Sequence, residues 1–363
     1  MTSTYSPTQP LTMREGWLDL VHSTPPAAPD RVSRHEFREW SPAKRGDYNE
    51  QRLFHHSRLV IVETPSMTEA HSKAQRLLRI NLCEQGARRG LVISGPPAMG
   101  KTTIATQFGK AHQIRAERRA SPETLEQGFI PVVYISVPPG TTAKMLSQEI
   151  ARFVGLPYTP RQNRVEITDA VCRTLGEAGT SLVIVDEIHN LDPRTREGKE
   201  ASDHLKYLAD RIAATFIYVG VEVPQSGIFG GVRANQIAGR FLLHELEPFR
   251  LHNGSSRRLW SSVIAAMEQA IILLDHPPGS LAEEHATYLF ERTGGRIGSL
   301  SQLVRAAAVE AIAIGREAID RPLLDSIEVD FAAEVSYRRQ QVRERGRRRS
   351  RPTRPDGAGR GAA

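Results

Sequence analysis

Gly95, Gly100, Lys101 and Thr102 stand at the spacing G-x-x-x-x-G-K-T within the run GPPAMGKTT. A triphosphate held by a loop needs backbone N–H groups close around it, so the loop must carry few bulky side chains. Gly95, Pro96, Pro97, Ala98, Met99 and Gly100 meet that need, and Lys101, Thr102 and Thr103 open a helix whose N-terminal dipole faces the anion. Lys101 is expected to neutralise the β- and γ-phosphates, and Thr102 to offer its hydroxyl to Mg²⁺. Further along, Asp186 and Glu187 close the apolar run SLVIVD. A carboxylate at that end of a strand lies beside the phosphate loop of an open α/β sheet. Asp186 is expected to hold Mg²⁺ through water, and Glu187 to orient and polarise an attacking water. Together the two motifs predict in-line hydrolysis of ATP.

Such a site needs a sheet to present it. Apolar runs at 91–94, 131–137, 181–186, 215–219 and 241–246 read as strands. Helical spacing at 102–119, 143–154, 164–175 and 202–212 separates them, which is the signature of a parallel sheet covered on both faces. After Pro248 the pattern turns all-helical, over 255–274, 281–292, 298–315 and 322–326. The predicted organisation is an N-terminal extension over 1–45, flexible or partner-binding, an α/β nucleotide-binding core over 46–248, a small helical domain over 249–330, and a basic tail over 331–363 without regular structure.

The net charge of +7 is uneven. Ten Arg and two acids, Glu344 and Asp356, lie between Tyr337 and Arg360, so the tail carries the basic character and the remainder is near neutral. A stretch of this kind suits non-specific contact with nucleic-acid phosphates; a merely solubilising tail is the plainer alternative. No run approaches the roughly 20 apolar residues of a membrane span, and the first residues lack the pattern of a signal peptide. Two cysteines, Cys83 and Cys172, in unrelated contexts suit a reducing compartment and no metal site, so a cytoplasmic protein is expected.

The order GPPAMGKTT, VIVDEIHNL, AGRF and TGGRIGSLSQLVRAA resembles the AAA+ ATPases of the TniB/TnsC group, regulators of transposons that use a DDE transposase. The resemblance spans about residues 48–330. It implies a P-loop AAA+ core with a helical lid, and an ATPase that assembles on duplex DNA as a ring or helical filament and recruits the transposase, with or without a separate target-selector protein. Arg240 resembles the arginine finger that completes the site of a neighbouring subunit, and Arg296 the lid arginine that senses the γ-phosphate. One departure stands out: the end of the fourth strand usually offers a polar side chain that helps to position water, and here the place is Val221, with Glu222 beside it. For DNA, Thr141, Thr142 and Lys144 at a helix N-terminus form a candidate phosphate seat. A helix cap facing solvent is the alternative. The loop 192–200 is a weaker candidate because its charges are mixed. A helicase loader or replication initiator is the competing function. Such proteins often carry a winged-helix domain after the lid, where this chain runs into its basic tail. A non-catalytic nucleotide switch is the third.

Overall fold

The computed structural model describes residues 9–24, 26–58, 60–86, 88–228 and 239–349. Five apolar runs pair in parallel: β1 (Gly90–Ser94), β2 (Val132–Ser136), β3 (Leu182–Asp186), β4 (Thr215–Gly220) and β5 (Phe241–Glu245). Their order across the sheet is β2-β3-β4-β1-β5. Strands β1, β3 and β4 are buried at every position, as a sheet covered on both faces requires, whereas the edge strand β5 is partly open. The helices of this part are α1 (Arg14–His22), α4 (Pro65–Asn81), α5 (Lys101–Glu117), α6 (Pro122–Glu126), α7 (Ala143–Phe153), α8 (Arg164–Glu177) and α9 (Arg196–Arg211). A second, all-helical part contains α2 (Arg34–Glu39), α3 (Pro42–Ser57), α10 (Gly254–Glu268), α11 (Ala286–Thr293), α12 (Ile297–Ala313), α13 (Arg321–Ser326) and α14 (Phe331–Arg349). Among the described residues no helix is long and apolar enough to cross a membrane.

The chain divides into two compact units, one of Met1–Ala27 with Glu63–Glu247, the other of Ala28–Val62 with Pro248–Ala363. The sequence boundaries at 46 and 249 therefore differ from the structural ones at the N-terminal side. Helix α1 is not part of a free arm. Trp17 on α1 is 1% exposed within the core of the sheet unit. Its ring stacks on Tyr134 of β2, and its Nε1–H donates to Gln113 Oε1 at 2.6 Å. Gly109 of α5 makes room for it: a Cβ there would lie 2.7 Å from Trp17 Cη2. Nothing local in a Pro- and Ser-rich segment announces partners that lie some hundred residues away.

Residues 28–62 belong instead to the helical unit. Arg52 of α3 is fully buried and pairs with Glu317 at 2.6 Å, while Tyr48 and Phe37 lie against its guanidinium. A buried charge of this kind is tolerated only when paired. The tail also departs from expectation: α14 carries helix through Arg349. Its first turn is anchored by Asp330, whose carboxylate accepts the Ala333 N–H at 3.0 Å, and by the Arg292–Glu334 pair at 2.7 Å. With that nucleus in place, Arg, Gln and Glu are good helix formers. The rest of the tail lies outside the described residues.

Candidate active site

The turn after β1 has a backbone that few residues tolerate. Gly95 has φ 149°, and a Cβ on it would lie 2.5 Å from the Leu246 carbonyl oxygen. Gly100 sits in the left-handed region at φ 78° and caps α5, and Ala98 also takes a positive φ. The loop curls round the Lys101 ammonium, which donates to Gly95 O at 3.0 Å and Pro96 O at 2.7 Å. Burial draws this ammonium below the usual lysine range, against the pull of Glu187 and Asp186.

Across the end of β4, Thr102 Oγ1 donates to Asp186 Oδ2 at 2.7 Å. The same carboxylate accepts the Tyr134 hydroxyl at 2.8 Å and the Glu187 N–H at 2.8 Å. Asp186 is thus buried yet held at both oxygens. The burial of Tyr134 itself, and then the Asp186 charge, push the Tyr134 hydroxyl far above the usual tyrosine range, so Tyr134 remains a donor. A hydroxyl and a carboxylate oxygen side by side form a hard-oxygen donor set that fits Mg²⁺.

Glu187 takes a left-handed φ of 55°, a strained value for a residue with a Cβ. It begins the 3₁₀ turn Ile188–Asn190, and its carboxylate is half exposed. The loop from Pro97 to Thr102, together with Asp186, Glu187, His189, Gly220 and Val221, encloses a cavity of about 480 Å³. Gly95, Pro96 and Thr103 frame this wall without lining it. His189 stands two residues after Glu187 in DEIHNL, but the sequence pattern gives it no role; only its side-chain contacts mark it.

The remaining candidates lie elsewhere. Arg240 precedes β5, and its carbonyl accepts the Gly90 N–H at 3.0 Å, at the end of the sheet opposite the phosphate loop. Its guanidinium pairs with Asp210 at 2.8 Å. The residues before Gly239 in the same segment lie outside those described. Arg296 precedes α12 in the helical unit, and among the described residues its Nε and Nη1 are buried without a hydrogen-bond partner. The turn before it demands glycine: a Cβ on Gly295 would lie 2.5 Å from Phe249 O.

At the other candidate seat the polar groups are largely spent. Thr141 is 2% exposed and its hydroxyl donates to Pro138 O. Thr142 caps α7 by accepting the Met145 N–H at 3.3 Å, and Lys144 donates to Pro160 O at 3.0 Å. The cap accounts for Thr142 and the inward bond to Pro138 O for Thr141; Lys144 is the group that can turn outward. In the 192–200 loop, Arg194 pairs with Asp192 and Arg196 with Glu200, and the helix already begins at Arg196.

A model of the family described as Bacterial TniB protein matches residues 52–251. The chain belongs to the TniB family. Among solved structures, this TniB chain is similar to the ORC2 protein of Aeropyrum pernix in its ADPNP–ADP complexes, with a TM-score of 0.56 and 16% identity over 75% of this chain and 70% of that one. It is also similar to Aeropyrum pernix ORC1 in complex with DNA, with a TM-score of 0.54 and 16% identity over 79% of this chain and 69% of that one. Cdc6p of Pyrobaculum aerophilum gives 0.53 and 16% over 72% and 65%. No curated protein matches. At such identities the likeness shows the fold, that of an AAA+ nucleotide-binding core. This TniB protein is a P-loop ATPase of the AAA+ class.

Proposed function

We propose that this TniB protein binds and hydrolyses Mg²⁺-ATP at boundaries between its own subunits, assembles on duplex DNA, and directs a DDE transposase to that DNA. The observation that carries the reading is the position of Arg240. A five-residue strand spans about 17 Å, and Arg240 stands at the far end of β5 from the phosphate loop. It is remote from the cavity of its own chain, as expected of a cation that serves another.

Bound Mg²⁺-ATP supplies the electrophilic γ-phosphoryl group; the loop amides and Lys101 would hold its phosphates, and Thr102 and Asp186 its metal. Lys101 exchanges the carbonyls of Gly95 and Pro96 for phosphate oxygens. Glu187 accepts the proton of the attacking water. Arg240 of the partner subunit would meet the charge that spreads over the transferring group, and the family resemblance gives Arg296 a like role. The unpartnered nitrogens of Arg296 are what a cation reserved for an anion looks like.

For DNA, Lys144 beside the N-terminus of α7 and the arginines from 338 onward would contact backbone phosphates, with little sequence preference. The transposase as partner, with a target-selector protein as a further candidate, follows from the resemblance of GPPAMGKTT, VIVDEIHNL, AGRF and TGGRIGSLSQLVRAA to the TniB/TnsC group. Negative-stain imaging with duplex DNA and a non-hydrolysable ATP analogue tests the reading. Ordered rings or filaments that need both ligands are expected; single particles scattered on DNA would overturn it.

A further inference from the structure

Glu187 must present its carboxylate in one direction to act on water, yet it is half exposed and sits on a strained backbone. Among the described residues, the side chain at ion-pair distance from that carboxylate is His189, whose Nε2 lies 3.3 Å from Glu187 Oε2. The opposite ring nitrogen, Nδ1, faces the backbone N–H of Val221 at 3.3 Å. An amide N–H can only donate, so Nδ1 accepts and carries no proton. The neutral ring then holds its proton on Nε2, directed at Glu187. One carboxylate oxygen is occupied in this way, and among the described residues no hydrogen bond engages the other, which leaves it for a water proton.

The frame around the ring is rigid. Ile188 is fully buried. Asn190 closes the turn by donating its N–H to Glu187 O at 2.9 Å, and its side chain donates to Val137 O at 2.7 Å. Gly220 lets the turn approach β4: a Cβ there would lie 2.8 Å from Ile188 Cγ2 and 3.2 Å from the His189 backbone nitrogen. Val221 has no polar side-chain atom to offer the site. Its backbone N–H, acting through the imidazole, does what a polar side chain at this strand end would do directly.

We propose that His189 is a positioning residue that ties Glu187 to the end of β4 in place of a polar side chain at Val221. The inference rests on the ATPase site described above, with Glu187 as the residue that receives the water proton.

The test uses the full chain and four variants: His189→Ala, His189→Gln, Glu187→Gln and the double variant His189→Ala/Glu187→Gln. His189→Ala is expected to lower kcat by about 10–100-fold, the usual effect of removing a group that orients a working ligand, with ATP affinity unchanged within about 2-fold. His189→Gln keeps a donor near the Nε2 position and is expected to recover much of the loss. In the double variant, the loss from Glu187→Gln should not deepen, because His189 acts only through that carboxylate. A second readout is independent of turnover. Imidazole ¹⁵N shifts of the nucleotide-free protein should show His189 protonated at Nε2 and bare at Nδ1. Wild-type kcat in His189→Ala, losses that multiply in the double variant, or a proton on Nδ1 would each overturn the proposal. A wild-type protein without ATPase activity would instead overturn the functional reading, and the ¹⁵N shifts would still judge the placement of His189.

Discussion

Trp17 and Tyr134 stack with ring centroids 5.9 Å apart and planes 8° from parallel. The pair joins the N-terminal helix to the second strand, and Tyr134 in turn donates to Asp186 at 2.8 Å. A residue that looks like part of a loose leader therefore buttresses the carboxylate that faces Thr102. Trp17→Ala should cost about 3–5 kcal/mol, the range for truncating a large buried aromatic. Urea unfolding of the full chain measures it; a loss below about 1 kcal/mol would mean that α1 does not belong to the core.

Lys101→Ala and Glu187→Gln should separate binding from chemistry. The first removes the cation that the phosphate loop encloses, and calorimetry should show ATP binding lost. The second leaves Asp186 and Thr102 in place, so ATP should still bind while turnover falls by about 10²–10⁴-fold, the usual contribution of a positioned acid–base group. Micromolar ATP binding by Lys101→Ala, or unchanged turnover in Glu187→Gln, contradicts the assigned roles.

Arg240 makes its own claim about assembly. Arg240→Ala should bind ATP but lose hydrolysis together with DNA-dependent assembly. Mixing it with Lys101→Ala joins an intact pocket to an intact finger, so two inactive proteins should regain part of the ATPase activity. If they co-assemble and stay inactive, the arginine does not act across the boundary.

Deleting residues 338–363 removes ten Arg and two acids while sparing Tyr337, which lies 4.8 Å from the Arg292 guanidinium. Counterion release predicts a shallower slope of log affinity against log salt, with no change in preference among DNA sequences. An unchanged slope would place the tail away from DNA.

Stability should fall on mild acidification. Burial lowers His56 to about 4, and likewise His112 and His204 to about 4. Their folded values lie below the unfolded value of about 6.5, so between those limits the unfolded chain binds more protons and stability drops as pH falls. The Ile272 N–H donates to His56 Nε2 at 3.2 Å, a contact that protonation removes. Urea midpoints should decrease from pH 7 to pH 5; a flat profile would show that these rings are accessible when folded.

The strands, the phosphate loop and the acidic strand end could be read from the sequence because each is a local pattern. Four or five consecutive apolar residues bury a strand, and a side-chain-poor turn before a lysine follows from what a phosphate demands. The fate of individual polar groups was not legible, because a hydroxyl or an imidazole takes its role from whatever lies within 3 Å. Thr141 and Thr142 have the composition of a phosphate seat, but folding turns one inward and makes the other a helix cap. Trp17 and Arg52 lie in segments without a long apolar pattern, and their partners are distant in sequence. His189 shows the division most plainly. Its type and spacing are visible in DEIHNL, but its place between Glu187 and the Val221 amide exists only once β3 and β4 lie side by side.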